Sequence, residues 1–268
     1  MPTDISMRHN IHQHGGGATP MLFAHGFGCD QNMWRFVEPA FRADYRTVLF
    51  DHIGAGQSER AAYRPERYAS LTGYADDLLA LCDALDLRQA VLVGHSVSAM
   101  IGVLAAAREP ARFSRLILVC PSPRYINDAP DYIGGFERAD IEELLATMER
   151  NHLDWARFLA PAVMRNTDRP ELATELEQSF CATDPAIARQ FARVTFLADN
   201  RRDLAQVKVA SLILQCSEDA IAPAAVGRYV HAQMRGSALA MLRATGHCPH
   251  MSAPEETIAA MRAWLNAP

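Results

Sequence analysis

Six short apolar runs recur along the chain: MLFA (21–24), TVLF (47–50), AVLVG (90–94), LILVC (116–120), SLILQC (211–216) and ALAML (238–242). Unbroken apolar runs of this length suit strands covered on both faces, as in a parallel sheet. Between them lie QNMWRFVEPAF (31–41), LTGYADDLLALCDALDL (71–87), SAMIGVLAAAREP (98–110), AAVGRYVHAQM (224–234) and PEETIAAMRAWL (254–265). These repeat apolar residues at three- and four-residue intervals, as amphipathic crossover helices do. The pattern predicts an α/β fold with a doubly wound, mostly parallel sheet.

The alternation lapses after Cys120 and resumes at Ser211. Residues 137–197 instead carry the helical stretches IEELLATMER, LDWARFLAPAVM, RPELATELEQSF and DPAIARQFARVTFL, punctuated by Pro and Asp. The prediction is a helical cap, residues 121–200, inserted within one α/β domain spanning 1–268. A chain of 268 residues that is 49% hydrophobic buries one large core, and single α/β domains reach this size.

Composition narrows the function. A formal charge of −5, with its cations scattered, supplies no field for a polyanion, so nucleic acid is not an expected partner. The cysteines (Cys29, Cys82, Cys120, Cys181, Cys216, Cys248) lie far apart without CxxC or Cys/His ligand spacing, and read as reduced, mostly buried thiols. No metal site is expected. The N-terminal stretch lacks the charged-then-apolar order of a secretory signal, and no run approaches the roughly 18 apolar residues of a membrane span. A soluble cytoplasmic protein without membrane contact is expected.

The candidate chemistry begins after the run AVLV, at Gly94-His95-Ser96-Val97-Ser98, followed by the small-residue stretch AMIGVLAAA. This is nearly the G-x-S-x-G nucleophile elbow, a strand-to-helix turn that exposes a strained serine at the sheet edge. Ser98 stands where the motif has its last glycine. Upstream, MLFA runs into His25-Gly26-Phe27-Gly28, where glycines let backbone approach a substrate, and the N–H groups of Phe27 and Val97 are assigned as the oxyanion hole. The acid and base of a serine triad follow in chain order at later strand ends. Asp219 comes just after SLILQC, and His247 just after ALAML. Asp219 would fix the imidazole tautomer and His247 would take the serine proton. Glu218 remains a rival acid and His250 a rival base. The stretch Asp51-His52-Ile53-Gly54-Ala55-Gly56-Gln57-Ser58 lacks both GxGxxG and a P-loop lysine, and reads as a turn.

With HGFGCDQNMW, DHIGAGQS, GHSVSAM, CPSPRYIND, GGFE, TDPAIARQF and GHCPHMS in order, the chain resembles the RsbQ branch of α/β-hydrolases. That branch joins the bacterial stress-response regulator RsbQ to the plant strigolactone and karrikin receptors. The resemblance runs from about Ala24 to the C-terminal helix, and GHSVSAM looks like the elbow of the plant receptors, Ser98 included. It implies the α/β-hydrolase fold, Ser96, Asp219 and His247 as triad, and Phe27 with Val97 as oxyanion hole. It further implies a four-helix cap over an enclosed apolar pocket, for which Phe27, Phe136, Trp155, Phe158 and Phe196 are nominated; on composition alone each serves equally as cap-to-sheet packing.

Two functions follow. The first is a serine hydrolase, carboxylesterase-like, that cleaves a small hydrophobic ester, lactone or enol ether through a covalent adduct on Ser96 and needs no cofactor. The second is a ligand sensor with little turnover whose cap is read by a partner, which the RsbQ resemblance suggests is a PAS-domain phosphatase of a stress-signalling pathway. A haloalkane dehalogenase is excluded, since that chemistry wants Asp where Ser96 stands.

Overall fold

The structure is a computed structural model that describes residues 4–267; residues 1–3 and 268, the ends of the predicted domain, lie outside the described residues. Seven strands form one sheet: β1 (His12–His14), β2 (Thr19–Ala24), β3 (Tyr45–Phe50), β4 (Ala90–His95), β5 (Phe113–Val119), β6 (Ala210–Glu218) and β7 (Ala238–Thr245). Their order is β1-β3-β2-β4-β5-β6-β7, parallel throughout except where β1 runs antiparallel to β3 at the edge. The six apolar runs fall on β2 to β7. Successive residues of the inner strands feed opposite cores: Met21, Phe23, Val91 and Val93 face one, Leu22, Ala24, Ala90 and Leu92 the other. That is why these strands are apolar without alternation.

Helices α1 (Leu71–Ala84) and α2 (Val97–Arg108) pack on one face. The predicted helix over 31–41 is instead two single 3-10 turns, Gln31–Trp34 and Glu38–Phe41. Pro39 has no N–H to donate four residues back, and the Asp30 carboxylate caps the first turn through Asn32 N at 2.8 Å. The apolar spacing still does its work, because Trp34, Val37 and Phe41 are buried under the sheet.

Between β5 and β6 the chain leaves the sheet for four helices, α3 (Arg138–Arg150), α4 (His152–Met164), α5 (Pro170–Ala182) and α6 (Pro185–Phe196). Each start is chemically marked: a Glu137/Asp140 capping box, an Asn151 cap, Pro170 at a first turn, and Asp184 capping ahead of Pro185. Helix α6 buries Ala188, Phe191, Ala192, Thr195 and Phe196, one stripe at helical spacing. These helices lie over the C-terminal strand ends, with Phe180 against Gly28 and Ile187 against Gly54. Helices α7 (Ala224–Gln233) and α8 (Pro254–Leu265) close the wrap on opposite faces. Among the described residues no helix is long and apolar enough to cross a membrane.

Candidate active site

Ser96 lies between the last residue of β4 and the first of α2, with φ +54° and ψ −117°. A non-glycine residue in such a conformation costs of order 1–3 kcal/mol, and its surroundings must hold it there. They do so by Ser96 N donating to Val119 O at 2.9 Å and Ala99 N donating to Ser96 O at 3.0 Å. Gly94 is required by this turn, since a Cβ there would stand 2.5 Å from Ser98 O.

His247 Nε2 lies 2.8 Å from Ser96 Oγ, and its Nδ1 lies 2.7 Å from Asp219 Oδ2. The second carboxylate oxygen accepts from Ile221 N at 2.8 Å and Ala222 N at 3.0 Å, so both oxygens of this buried group are engaged. Glu218 points away to solvent, 3.7 Å from Arg165. His250 lies in an apolar slot with its ring centroid 4.6 Å from that of Trp34 and no polar partner among the described residues. Neither Glu218 nor His250 takes part in the hydrogen-bonded chain from Ser96 through His247 to Asp219. Burial holds the neighbouring imidazoles neutral: His95 is well below the ordinary histidine range and His250 is pushed down to about 3. His95 Nε2–H donates to the His247 carbonyl at 2.9 Å and so props the residue that faces Ser96.

The alpha/beta hydrolase family model matches residues 21–260 of the chain. The chain belongs to the alpha/beta hydrolase family. This hydrolase is 40% identical over 245 residues to the karrikin insensitive 2 receptor IA of Petunia hybrida, covering 91% of the chain and 89% of the relative. It is 38% identical over 255 residues to the strigolactone esterase RMS3 of Pisum sativum, covering 95% of each. Among solved structures, a hydrolase from Oleispira antarctica superposes with a TM-score of 0.96 at 41% identity, covering 99% of this chain and 97% of that one.

In this hydrolase Ser96 opens into a small covered cavity of about 30 Å³, apolar except for Ser96, the imidazoles of His95 and His247, and the hydroxyls of Tyr125 and Thr195. Of the five nominated aromatics, Phe27 and Phe196 line it. Trp155 stands behind, its ring 6.0 Å from that of Phe27. Phe136 and Phe158 do not reach it. With Trp155 they line an outer groove of about 660 Å³ that shares Leu159, Phe196 and Ile221 with the cavity, and Phe158 is 73% exposed. On α4 the inward stripe is Trp155, Leu159 and Val163, and Phe158 lies at the exposed edge of that stripe, towards the outer groove.

Sequence reasoning missed several walls of this cavity. Leu159 and Val163 follow Trp155 at four-residue steps and could have been found from that stripe. Tyr125 sits in the irregular segment after β5, where no periodicity points to it, yet its Oη lies 3.4 Å from Ser96 Oγ. Burial raises its phenol, which stays a neutral donor. Thr195 also lines the cavity, and its buried hydroxyl has no hydrogen-bond partner among the described residues. The Asp51–Ser58 segment is a turn: the Asp51 carboxylate accepts from Gln31 N, Gln57 N and Asn10 Nδ2, and Gly54 and Gly56 take positive φ.

Among the described residues, two buried sets bring candidate ligand atoms within 4.8 Å of one another, His95/Cys248/His250 and Cys120/Asp219/His247. In the second, the carboxylate and imidazole already bind each other. In the first, burial raises the Cys248 thiol and opposes the thiolate a soft metal needs, while the edge of the His95 ring abuts Gly26.

Proposed function

We propose that this hydrolase cleaves small hydrophobic esters or lactones, with enol ethers as a further class, using Ser96 as nucleophile, His247 as general base and Asp219 to orient the imidazole. The observation that carries the reading is the hydrogen-bonded chain Ser96–His247–Asp219 at the floor of a covered apolar cavity. Asp219 favours the tautomer with the proton on Nδ1, which leaves the Nε2 lone pair facing the serine hydroxyl. Ser96 Oγ adds to the carbonyl carbon as its proton passes to His247. The carbonyl oxygen becomes an oxyanion received by Phe27 N–H and Val97 N–H; Val97 is the first residue of α2, so its N–H has no partner within the helix. Collapse expels the alcohol, which takes the proton from His247 and leaves an acyl-Ser96 ester. Water deprotonated by His247 then releases the acid and restores Ser96. A relative named as an esterase supports ester chemistry.

Purified Ser96→Ala is expected to lose p-nitrophenyl acetate turnover while keeping its melting transition, with only about 10³-fold rate over water surviving from binding and the oxyanion hole. Adding Asp219→Asn to Ser96→Ala is expected to cost almost nothing more, since the residues act as a unit. Wild-type turnover in the single variant, or additive losses in the pair, would refute this mechanism.

A second reading, a ligand-sensing regulator with little turnover, is favoured by receptor-named relatives and by one contact: His247 N donates to Val163 O, in the last turn of α4, at 2.8 Å. Movement of the cap is thereby felt at the base. An RsbQ-like stress-signalling role, with a PAS-domain phosphatase as partner, rests on the sequence resemblance. Cysteines that are all unpaired support a reducing, cytoplasmic setting.

A further inference from the structure

The two proposed oxyanion donors come from opposite ends of the nucleophile region, Phe27 after β2 and Val97 at the start of α2, and nothing in the usual elbow motif ties one to the other. Ser98, the residue that departs from that motif, does so here. Its hydroxyl donates to the His25 carbonyl oxygen at 2.5 Å and lies 2.7 Å from His52 Nε2. All three residues are fully buried. The partners define every proton. Since the Ser98 proton goes to a carbonyl, His52 Nε2–H must donate to Ser98 Oγ. His52 N–H donates to His25 Nε2 at 3.0 Å, so the His25 proton sits on Nδ1, which donates to Gly26 O at 2.9 Å. Desolvation holds the His52 imidazole neutral, as this single-proton arrangement requires.

We propose that Ser98 is a positioning residue of the oxyanion hole: its hydroxyl fixes the His25 carbonyl, and with it Phe27 N–H, at a set place relative to Val97 N–H, while His52 braces the hydroxyl from the neighbouring strand end. The route is short, because Val97 adjoins Ser98 in the chain and Phe27 lies two residues beyond His25. It also accounts for the serine. With glycine at position 98 the His25 carbonyl and the His52 Nε2–H would both be buried without their partner, which is costly.

The inference rests on the hydrolase reading, so the test carries a readout that does not depend on turnover. A trifluoromethyl ketone adds Ser96 Oγ to its carbonyl carbon, the serine proton passing to His247, and the hemiketal oxyanion occupies the hole. Ser98→Ala and Ser98→Gly, which both lack the hydroxyl but differ in size, are expected to lower kcat for p-nitrophenyl acetate by about 10- to 100-fold with KM little changed, less than loss of a donor outright. Both are expected to weaken the ketone by the same factor, and Ser98→Thr, which keeps the hydroxyl, to recover most of each. Wild-type kcat and ketone affinity in the Ala and Gly variants would overturn the proposal. So would a kcat loss without loss of ketone affinity, or Ala and Gly variants that diverge, either of which marks Ser98 as packing. The Ala/Gly pair decides alone if the threonine variant is insoluble. Wild-type protein that neither turns over the ester nor binds the ketone would overturn the hydrolase reading together with this one.

Discussion

At the residue scale, the histidines divide by what surrounds each ring. His247 has a carboxylate on one nitrogen and a hydroxyl on the other, whereas His250, three residues on, is buried against the rings of Trp34 and His95 with no hydrogen-bond partner among the described residues. Sequence places both near the same strand end and favours His247 while leaving His250 as a rival, because the deciding difference is which ring faces Asp219. The same holds for Glu218 and Asp219, adjacent residues of which one is exposed and one buried. Burial of His250 has a measurable consequence. Its pKa is about 3 in the folded chain against an ordinary 6.5, so between those values the unfolded chain binds a proton that the folded chain does not. Stability from this group is therefore complete above pH 6.5 and is lost as pH falls towards 3. His52 and His95, also lowered by burial, act in the same direction. Urea unfolding of the wild type is expected to weaken steadily on acidification through this window, and His250→Phe, which keeps a ring in the slot, to flatten the slope by up to about 1.4 kcal/mol per pH unit. An unchanged slope in His250→Phe would show that the folded protein protonates this ring as readily as the unfolded one.

At the scale of elements, the sheet and long helices were legible because their periodicity reports burial directly. What escaped has a local cause. Strand β1 is HQH, three polar residues with no apolar face, and it exists only because β3 offers an open edge to pair with. The 31–41 stretch has helical spacing but is broken by Pro39. The four helices between β5 and β6 were legible from their spacing and their junctions with the sheet were not, since those are made by backbone. At one junction the last turn of α4 meets the loop that bears His247. Gly246 has φ +82°, and a Cβ there would stand 2.2 Å from Met164 O and 3.1 Å from Val163 O. Gly246→Ala must therefore push α4 and the His247 loop apart, on top of a left-handed backbone cost of about 1–3 kcal/mol. The expected result is lower stability in urea together with a fall in kcat, because His247 N loses its place on Val163 O. Destabilisation with full kcat in the folded fraction would mean that the α4 contact does not set the base.

At the scale of the whole molecule, the Ser96 cavity of about 30 Å³ holds little more than a water or two, while the adjoining groove is about 660 Å³. A substrate carbonyl reaches Ser96 only if their shared wall, Leu159, Phe196 and Ile221, gives way, and those residues belong to α4, α6 and the segment after β6. Chain-length selectivity is thus expected to follow how far helices α4 and α6 part, and the two aromatics of α4 separate the buried wall of the groove from its exposed rim. Trp155 is buried between Phe27 and the groove, so Trp155→Ala is expected to cost about 3–5 kcal/mol of stability and to shift ester preference towards longer acyl chains by opening space beside Phe27. Phe158, on the groove rim, is expected to change stability by no more than about 0.5 kcal/mol on truncation to Ala and to alter KM for long esters without changing kcat for short ones. Kinetics across an acyl series from acetate to octanoate, with urea unfolding of each variant, distinguishes them. Hydrogen exchange over residues 137–197 then separates turnover from sensing. A ligand moves the cap only by binding one arrangement better than another. Protection that changes on binding a butenolide probe, in protein that turns over slowly, matches the sensor; unchanged protection beside rapid multiple turnover leaves the plain hydrolase.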